Sequence, residues 1–210
     1  MIDGTVLRNT VLACIELNND AVTITRFRVW ENINSAIVSL LRVVPLCEID
    51  TVVKSRLCDL TIYKSQYQFP TDYARLGGLW VNFGADLSGW GTHAYECVEA
   101  KDRQFYGNSL HHCRFSKQQP HFMYVEGGFD LRPVPDANQT NGYRIKYIYI
   151  PPTVTAGQQC LLRADFTDAI VFKAVQLCCL IDGYNVELSK HYSELYDKEL
   201  IKFGVENRRD

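Results

Sequence analysis

The stretch Tyr143-Arg144-Ile145-Lys146-Tyr147-Ile148-Tyr149-Ile150-Pro151-Pro152 divides the chain into two textures. Tyr143, Ile145, Tyr147 and Tyr149 fall on one side of an extended segment and Arg144, Lys146, Ile148 and Ile150 on the other, the two-residue period of a β-strand. Pro151 and Pro152 stop its ladder, since neither can donate a backbone N–H. Downstream of Gly157 the apolar residues recur at helical spacing instead, as Phe166, Ile170, Ala174, Leu177 and Ile181. Asp165 and Asp168 offer that helix an N-cap and a favourable charge at its dipole, and Gly183 ends it. A further helix is predicted over residues 185–203, with Leu188, Tyr192, Leu195, Tyr196, Glu199 and Phe203 in its pattern and alternating charges outside.

Upstream, the β texture reaches back to the run Leu60-Thr61-Ile62-Tyr63, punctuated by Gly77, Gly78, Gly84, Gly89, Gly91, Gly107, Gly127 and Gly128. Before it the helical period returns twice. Leu7, Val11, Cys14 and Leu17 mark a helix over residues 5–18, and Ile24, Phe27, Trp30, Ile33, Ile37, Leu40, Leu41 and Val44 a longer one over residues 23–44, closed by Pro45. Few residues link the two, so antiparallel packing is expected. The predicted fold class is α+β: a four-helix bundle of two N-terminal and two C-terminal helices with an inserted antiparallel β domain. The expected boundaries are residues 1–58 plus 158–210 for the helical bundle and 59–157 for the insert.

Composition narrows the function. Hydrophobic residues make up 47% and charged residues 22% of the 210, values that exclude a disordered chain or a coiled-coil rod. With 22 basic against 24 acidic residues the net charge is −2, which excludes a broad basic surface gripping nucleic acid. No basic segment leads into an apolar run near the N-terminus, so no secretory signal is expected. Residues 169–181 are too few to span a membrane and are interrupted by Lys173 and Gln176. The eight cysteines include no C-x-x-C pair and read as reduced thiols of a protein assembled in a cytosol.

The phosphate-binding loop G-x-x-x-x-G-K-[ST], the G-x-S-x-G elbow and the H-E-x-x-H helix are all missing from the sequence, so neither catalytic nor cofactor-binding residues are expected. His111-His112-Cys113, with His93 and Cys97 nearby, is the best metal or thiol candidate, but its spacing fits no ligand pattern, and no metal is expected. Asp86, Glu96, Glu99 and Asp102 with Trp80 and Trp90 leave open a second reading, a carbohydrate-binding or metal- or thiol-dependent module in the β insertion. The aromatic residues concentrated between Trp80 and Tyr149 suit either a protein contact surface or a plain β core.

Two junctions carry a resemblance. The phrase Tyr67-Gln68-Phe69-Pro70-Thr71-Asp72-Tyr73-Ala74-Arg75 is similar to the motif that opens the β domain in tail tubular protein A and related head-to-tail adaptor proteins of short-tailed bacteriophages. Residues 143–152 followed by Asp165-Phe166-Thr167-Asp168-Ala169 resemble that family's final strand, proline stop and following helix. Read on its own chemistry, Pro70 holds Phe69 extended and Asp72 is placed to cap the turn or accept from Arg75 or a backbone amide. The junction residues are therefore Tyr67, Pro70, Asp72, Arg75, Pro151, Pro152, Asp165 and Asp168.

The resemblance implies a structural virion protein, not an enzyme, that forms a homo-oligomeric ring of about a dozen copies at the head–tail interface and is assembled in the host cytoplasm. It implies docking under the portal protein through Lys198, Lys202, Phe203, Arg208 and Arg209. It also implies contact between the β domain and the next tail component, a nozzle or tail tube protein. Genome DNA would pass through the lumen without sequence-specific binding, and no membrane is involved. Such a ring needs side-by-side interfaces that close, and the charged faces of residues 23–44 and 185–203 are placed to provide them.

Overall fold

A computed structural model describes residues 1–16, 26–84, 94–100, 115–181 and 186–205. The predicted Leu17, Asn18, Thr23, Ile24, Gly183 and Asn185 lie outside these residues, as do Gly89, Gly91 and Gly107. The fold is α+β, and the chain forms two compact units, residues 1–53 with 149–210 and residues 54–148.

In the first unit, β1 (Ile2–Asp3) pairs antiparallel with β10 (Gln159–Cys160). Helix α1 (Gly4–Glu16) follows at once, because the Asp3 carboxylate accepts the N–H groups of Thr5 (2.7 Å) and Val6 (3.3 Å) that a helix start leaves without partners. Gly4 is dictated by close approach: a Cβ there would lie 2.6 Å from Val154 Cγ1 and 2.8 Å from the Thr155 carbonyl oxygen. The apolar stripe of α1 buries Leu7, Val11 and Ile15, and that of α2 (Arg26–Val43) buries Val29, Ile33, Ala36, Ile37, Leu40 and Leu41. Each such valine, leucine or isoleucine side chain contributes about 1.5–3 kcal/mol on burial.

Helix α3 (Thr167–Ile181) packs against α1, α2 and α4 (Val186–Lys202). It buries Ile170, Val171, Ala174, Val175 and Cys178, so its core face lies nearer Val171 and Val175 than the predicted stripe, and Leu177 is only half-buried. Asn32 of α2 is buried and donates to Cys178 Sγ at 3.0 Å, a polar tie inside an apolar seam. The end of α4 is a double C-cap. Val205 N–H bonds to Leu200 O at 3.2 Å and Gly204 N–H to Ile201 O at 3.0 Å, with Gly204 at φ 74°.

Among the described residues the second unit holds two four-stranded sheets. One runs β2 (Val53–Leu60), β9 (Gln139–Tyr149), β4 (Tyr73–Val81), β5 (Tyr95–Glu96). The other runs β3 (Gln66–Gln68), β8 (Gly128–Arg132), β7 (His121–Val125), β6 (Val98–Glu99). Pairing is antiparallel for β4–β5, β3–β8 and β7–β8, whereas β6 runs parallel to β7. Strands β7 and β8 form the hairpin marked by Gly127 and Gly128, with Gly127 at φ 71°, and a Cβ on Gly128 would overlap the Tyr67 carbonyl oxygen across the β3–β8 ladder.

Strand β9 has the predicted alternation, with Tyr143, Ile145 and Tyr147 buried and Lys146 exposed; it begins four residues earlier, at Gln139. The run from Leu60 to Tyr63 is a correction. The strand is β2, which ends at Leu60, and the chain then turns, with Lys64 N–H bonded to Thr61 O at 3.1 Å and Tyr63 at φ 60°. The Ile62 N–H leaves the ladder for the Asn138 carboxamide oxygen at 2.8 Å. Among the described residues no helix is long and apolar enough to cross a membrane.

Candidate functional site

The first junction phrase lies wholly in the strand-rich unit. Tyr67 on β3 is buried; its hydroxyl donates to Lys64 O (3.1 Å) and accepts from Thr61 N–H (3.3 Å), while its ring stacks on Phe129 and meets Tyr143 edge-on. Burial pushes the phenol above its ordinary value. This cluster joins β3, β8 and β9 and so pins the two sheets together. Pro70 O accepts the Tyr73 N–H at 3.0 Å, closing a four-residue turn that starts β4. The turn stacks Phe69 flat on Tyr73, centroids 3.9 Å apart, and Tyr124 and Tyr147 extend the row on either side.

Asp72 does not pair with Arg75. Its Oδ2 accepts from Lys54 Nζ at 2.6 Å and its Oδ1 from the Tyr147 hydroxyl at 3.0 Å, so one carboxylate ties β2 and β9 to the turn before β4. The ammonium of Lys54 is the largest cause holding Asp72 below the usual carboxylate range, and burial followed by Asp72 pushes Tyr147 up to about 12. Arg75 is half-buried, and that burial lowers its pKa while the charges of Tyr73 and Tyr124 oppose the shift.

The second junction belongs to the helical unit. Pro151 is buried and Pro152 exposed. Just beyond, Asn34 of α2 grips the chain at Val154: its Oδ1 accepts the Val154 N–H at 2.7 Å, and its Nδ2 donates to Val154 O at 3.1 Å and to Trp30 O at 2.8 Å. A groove of about 380 Å³ runs beside this grip, lined by Asn34, Val38, Arg42, Ile150 and Pro151. Asp165 is not the cap of α3. A 3-10 turn, Ala164–Phe166, intervenes, and the Asp165 carboxylate instead takes the Arg163 guanidinium at 2.5 Å, which also reaches Glu48 at 3.0 Å. Asp168 sits exposed in the first turn of α3.

At the end of α4, Lys198 is exposed and Lys202 pairs with Glu199 at 2.5 Å. Phe203 is half-buried with its ring 4.3 Å from that of Phe166. Arg208 and Arg209 lie outside the described residues.

Of the alternative module, Asp86, Trp90, His93, Asp102, His111, His112 and Cys113 also lie outside the described residues. Cys97 is buried, and burial pushes its thiol well up, which makes it a poor nucleophile. Trp80 is half-buried beneath the Arg144 guanidinium, 4.8 Å from the ring centroid. Glu96 and Glu99 are exposed. Among the described residues no three His, Cys, Asp or Glu side chains converge as a metal site.

Sequence reasoning missed Lys54, Tyr147 and Asn34. Lys54 lies on a strand exposed on both faces, so no apolar alternation marks it, and a single asparagine within a helix gives no signal either.

Tyr67, Pro70, Asp72 and Asp165 are each engaged by neighbouring side chains or backbone groups, the disposition of residues that hold a scaffold together. The chain belongs to the SU10 adaptor protein family, whose sequence model matches residues 13–210, consistent with a phage head-to-tail adaptor. It is thus a structural phage protein and a virion component. No curated protein matches the chain.

Proposed function

We propose that the chain is the connector ring that docks under the portal, joins it to the next tail component and forms part of the DNA ejection channel. The observation that carries this reading is the family match over residues 13–210 of an α+β chain. The contacts of α3 with α1, α2 and α4 support a single four-helix bundle as the portal-side body, with the strand-rich insert as the tail-side surface. The portal contact is assigned to Lys198, Lys202, Phe203, Arg208 and Arg209. Within that group the exposed Lys198 ammonium meets the partner directly, while Phe203, packed on Phe166, anchors the end of the helix. About a dozen copies close the ring, and the near-neutral charge suits a channel that DNA traverses without adhering.

The test is sedimentation of the full chain with and without portal-bearing particles. Wild type is expected to bind the particles in many copies and to remain largely monomeric alone. A chain ending after Val205 keeps the C-cap and its fold but loses attachment. Unchanged attachment by that truncated chain overturns the assignment of the C-terminal residues, and no attachment by wild type overturns the connector reading.

A further inference from the structure

The strand-rich unit has a pocket of about 270 Å³ between β2, β3 and β9. Its floor is aromatic and aliphatic, with Tyr67, Tyr143 and Ile145 all buried. Arg56 of β2 and Lys64, in the turn before β3, stand exposed on its rim. Both cations act on the floor. Lys64 Nζ lies 5.4 Å from the centroid of the Tyr67 ring, and the Arg56 charge reaches the Tyr143 and Tyr147 phenols, where it opposes the rise that burial gives them. Among the described residues neither cation has an ion-pair partner. Asp59 also lines the pocket, but one of its carboxylate oxygens accepts the Asn141 N–H at 2.7 Å, and the two-residue period of β2 sets it on the face opposite Arg56.

The wall that carries Lys64 is a braced turn. Tyr63 N–H bonds to Pro135 O at 2.9 Å, Lys64 N–H to Thr61 O at 3.1 Å and Ile62 N–H to Asn138 Oδ1 at 2.8 Å. These bonds hold Tyr63 at φ 60°, a conformation that bulky residues rarely adopt. The ring gains no burial in return, since Tyr63 is 81% exposed, more than any other large hydrophobic residue described. A strained backbone that displays an aromatic ring to solvent beside a cationic pocket is the arrangement of a contact anchor.

Size and charge decide what fits. About 270 Å³ falls below the roughly 300–1,000 Å³ of clefts that enclose a whole small-molecule ligand, and suits a side chain or two. Two cations make a point of positive charge and not the track that a nucleic-acid backbone follows. A carboxylate on a polypeptide, with an apolar neighbour for the Tyr63 ring, meets both conditions.

We propose that the pocket and the Tyr63 turn dock an acidic segment of a partner polypeptide, Arg56 and Lys64 taking its carboxylate and Tyr63 packing on an apolar residue beside it. The inference rests on the reading of the insert as the tail-side surface and names the residues that hold the next tail component.

Titration of the full chain with an acetylated leucine–glutamate–leucine tripeptide amide, followed by NMR of the Arg56 side chain and the tyrosine rings, tests it. Saturable binding is expected, about tenfold weaker for the glutamine tripeptide and for Arg56→Gln or Lys64→Gln, with melting unchanged because both residues are exposed. Tyr63→Gly, which keeps the left-handed turn, weakens binding severalfold. No binding of the glutamate peptide, equal binding of the two peptides, wild-type binding by both charge variants, or tighter binding there of inorganic phosphate or a DNA duplex overturns the proposal. On portal-bearing particles, the double variant Arg56→Glu with Lys64→Glu is expected to attach as wild type does and to leave the particles without the next tail component. If that variant joins tails normally, the docking site fails and the connector reading stands. If wild type never attaches to the particles yet binds the glutamate peptide through Arg56 and Lys64, the connector reading fails and the docking site stands.

Discussion

Replacing Asp72 by alanine removes the acceptor shared by Lys54 and Tyr147. The Lys54–Asp72 pair is partly solvated, at 47% and 33% side-chain exposure, so its direct contribution is about 0.5 kcal/mol. Tyr147 is different. The residue is only 3% exposed, and its hydroxyl donates to a charged acceptor, worth about 1.5 kcal/mol and costly to leave unsatisfied. Asp72→Ala is therefore expected to destabilise the strand-rich unit by about 2 kcal/mol, and Asp72→Asn, which keeps an acceptor for Tyr147, by about 1 kcal/mol. In the alanine background Tyr147→Phe should cost almost nothing more, a coupling of about 1.5 kcal/mol in a double-mutant cycle. Urea unfolding followed by near-ultraviolet circular dichroism, which reads the surroundings of Tyr73 and Tyr147, measures all three. High salt should erase the lysine part and spare the tyrosine part. The pH dependence has two limits. Asp72 has a lowered pKa in the folded chain, so its contribution is full above the ordinary carboxylate value near 3.8 and is lost as pH falls through the folded value below it. Tyr147 is raised to about 12, so its contribution is present below 10 and is lost as pH rises toward 12. Additive effects of Asp72→Ala and Tyr147→Phe would refute the shared-acceptor account.

Asn34→Ala opens the grip on Val154 and should cost about 2 kcal/mol, with faster hydrogen exchange at the Val154 amide; exchange at the wild-type rate would show that the grip is not closed in solution. Gly204→Ala forces a Cβ into the left-handed region and should lower stability by about 1 kcal/mol, with loss of protection at the Val205 amide as the marker. Gly128→Ala should cost about 3 kcal/mol or more, because the new methyl group overlaps the Tyr67 carbonyl; a soluble variant with wild-type melting would contradict that geometry. Phe203→Ala should lower the melting temperature through its lost packing on Phe166, about 2 kcal/mol, whereas Lys198→Glu should leave melting unchanged and reduce attachment to portal-bearing particles.

The parts of this fold that could be read from the chain are those where burial imposes a period. Strand β9 was visible because Tyr143, Ile145 and Tyr147 all point into a core, and the helices because one face of each is apolar. Strand β2 was not, since exposure on both faces removes the pattern that burial writes: Lys54, Ser55 and Arg56 alternate nothing hydrophobic. The candidate site divides the same way. Asp72 stands out in the sequence, but its partners lie 18 and 75 residues away, and only folding brings them to one carboxylate. Asp165 illustrates the opposite error, in which a local helix-start pattern is overruled by a closer cation, Arg163, two residues before it. Phe203 stands in the predicted pattern of the last helix, but its partner Phe166, in the 3-10 turn before α3, is brought to it only by folding.

The carboxylate of Asp72 has one more effect. Lys54 is the first residue of the inserted unit and Tyr147 its last but one, so a single side chain buckles the insert shut where the polypeptide enters and where it leaves. A segment closed at its own base can be lengthened, shortened or exchanged during evolution without rerouting the helices that flank it.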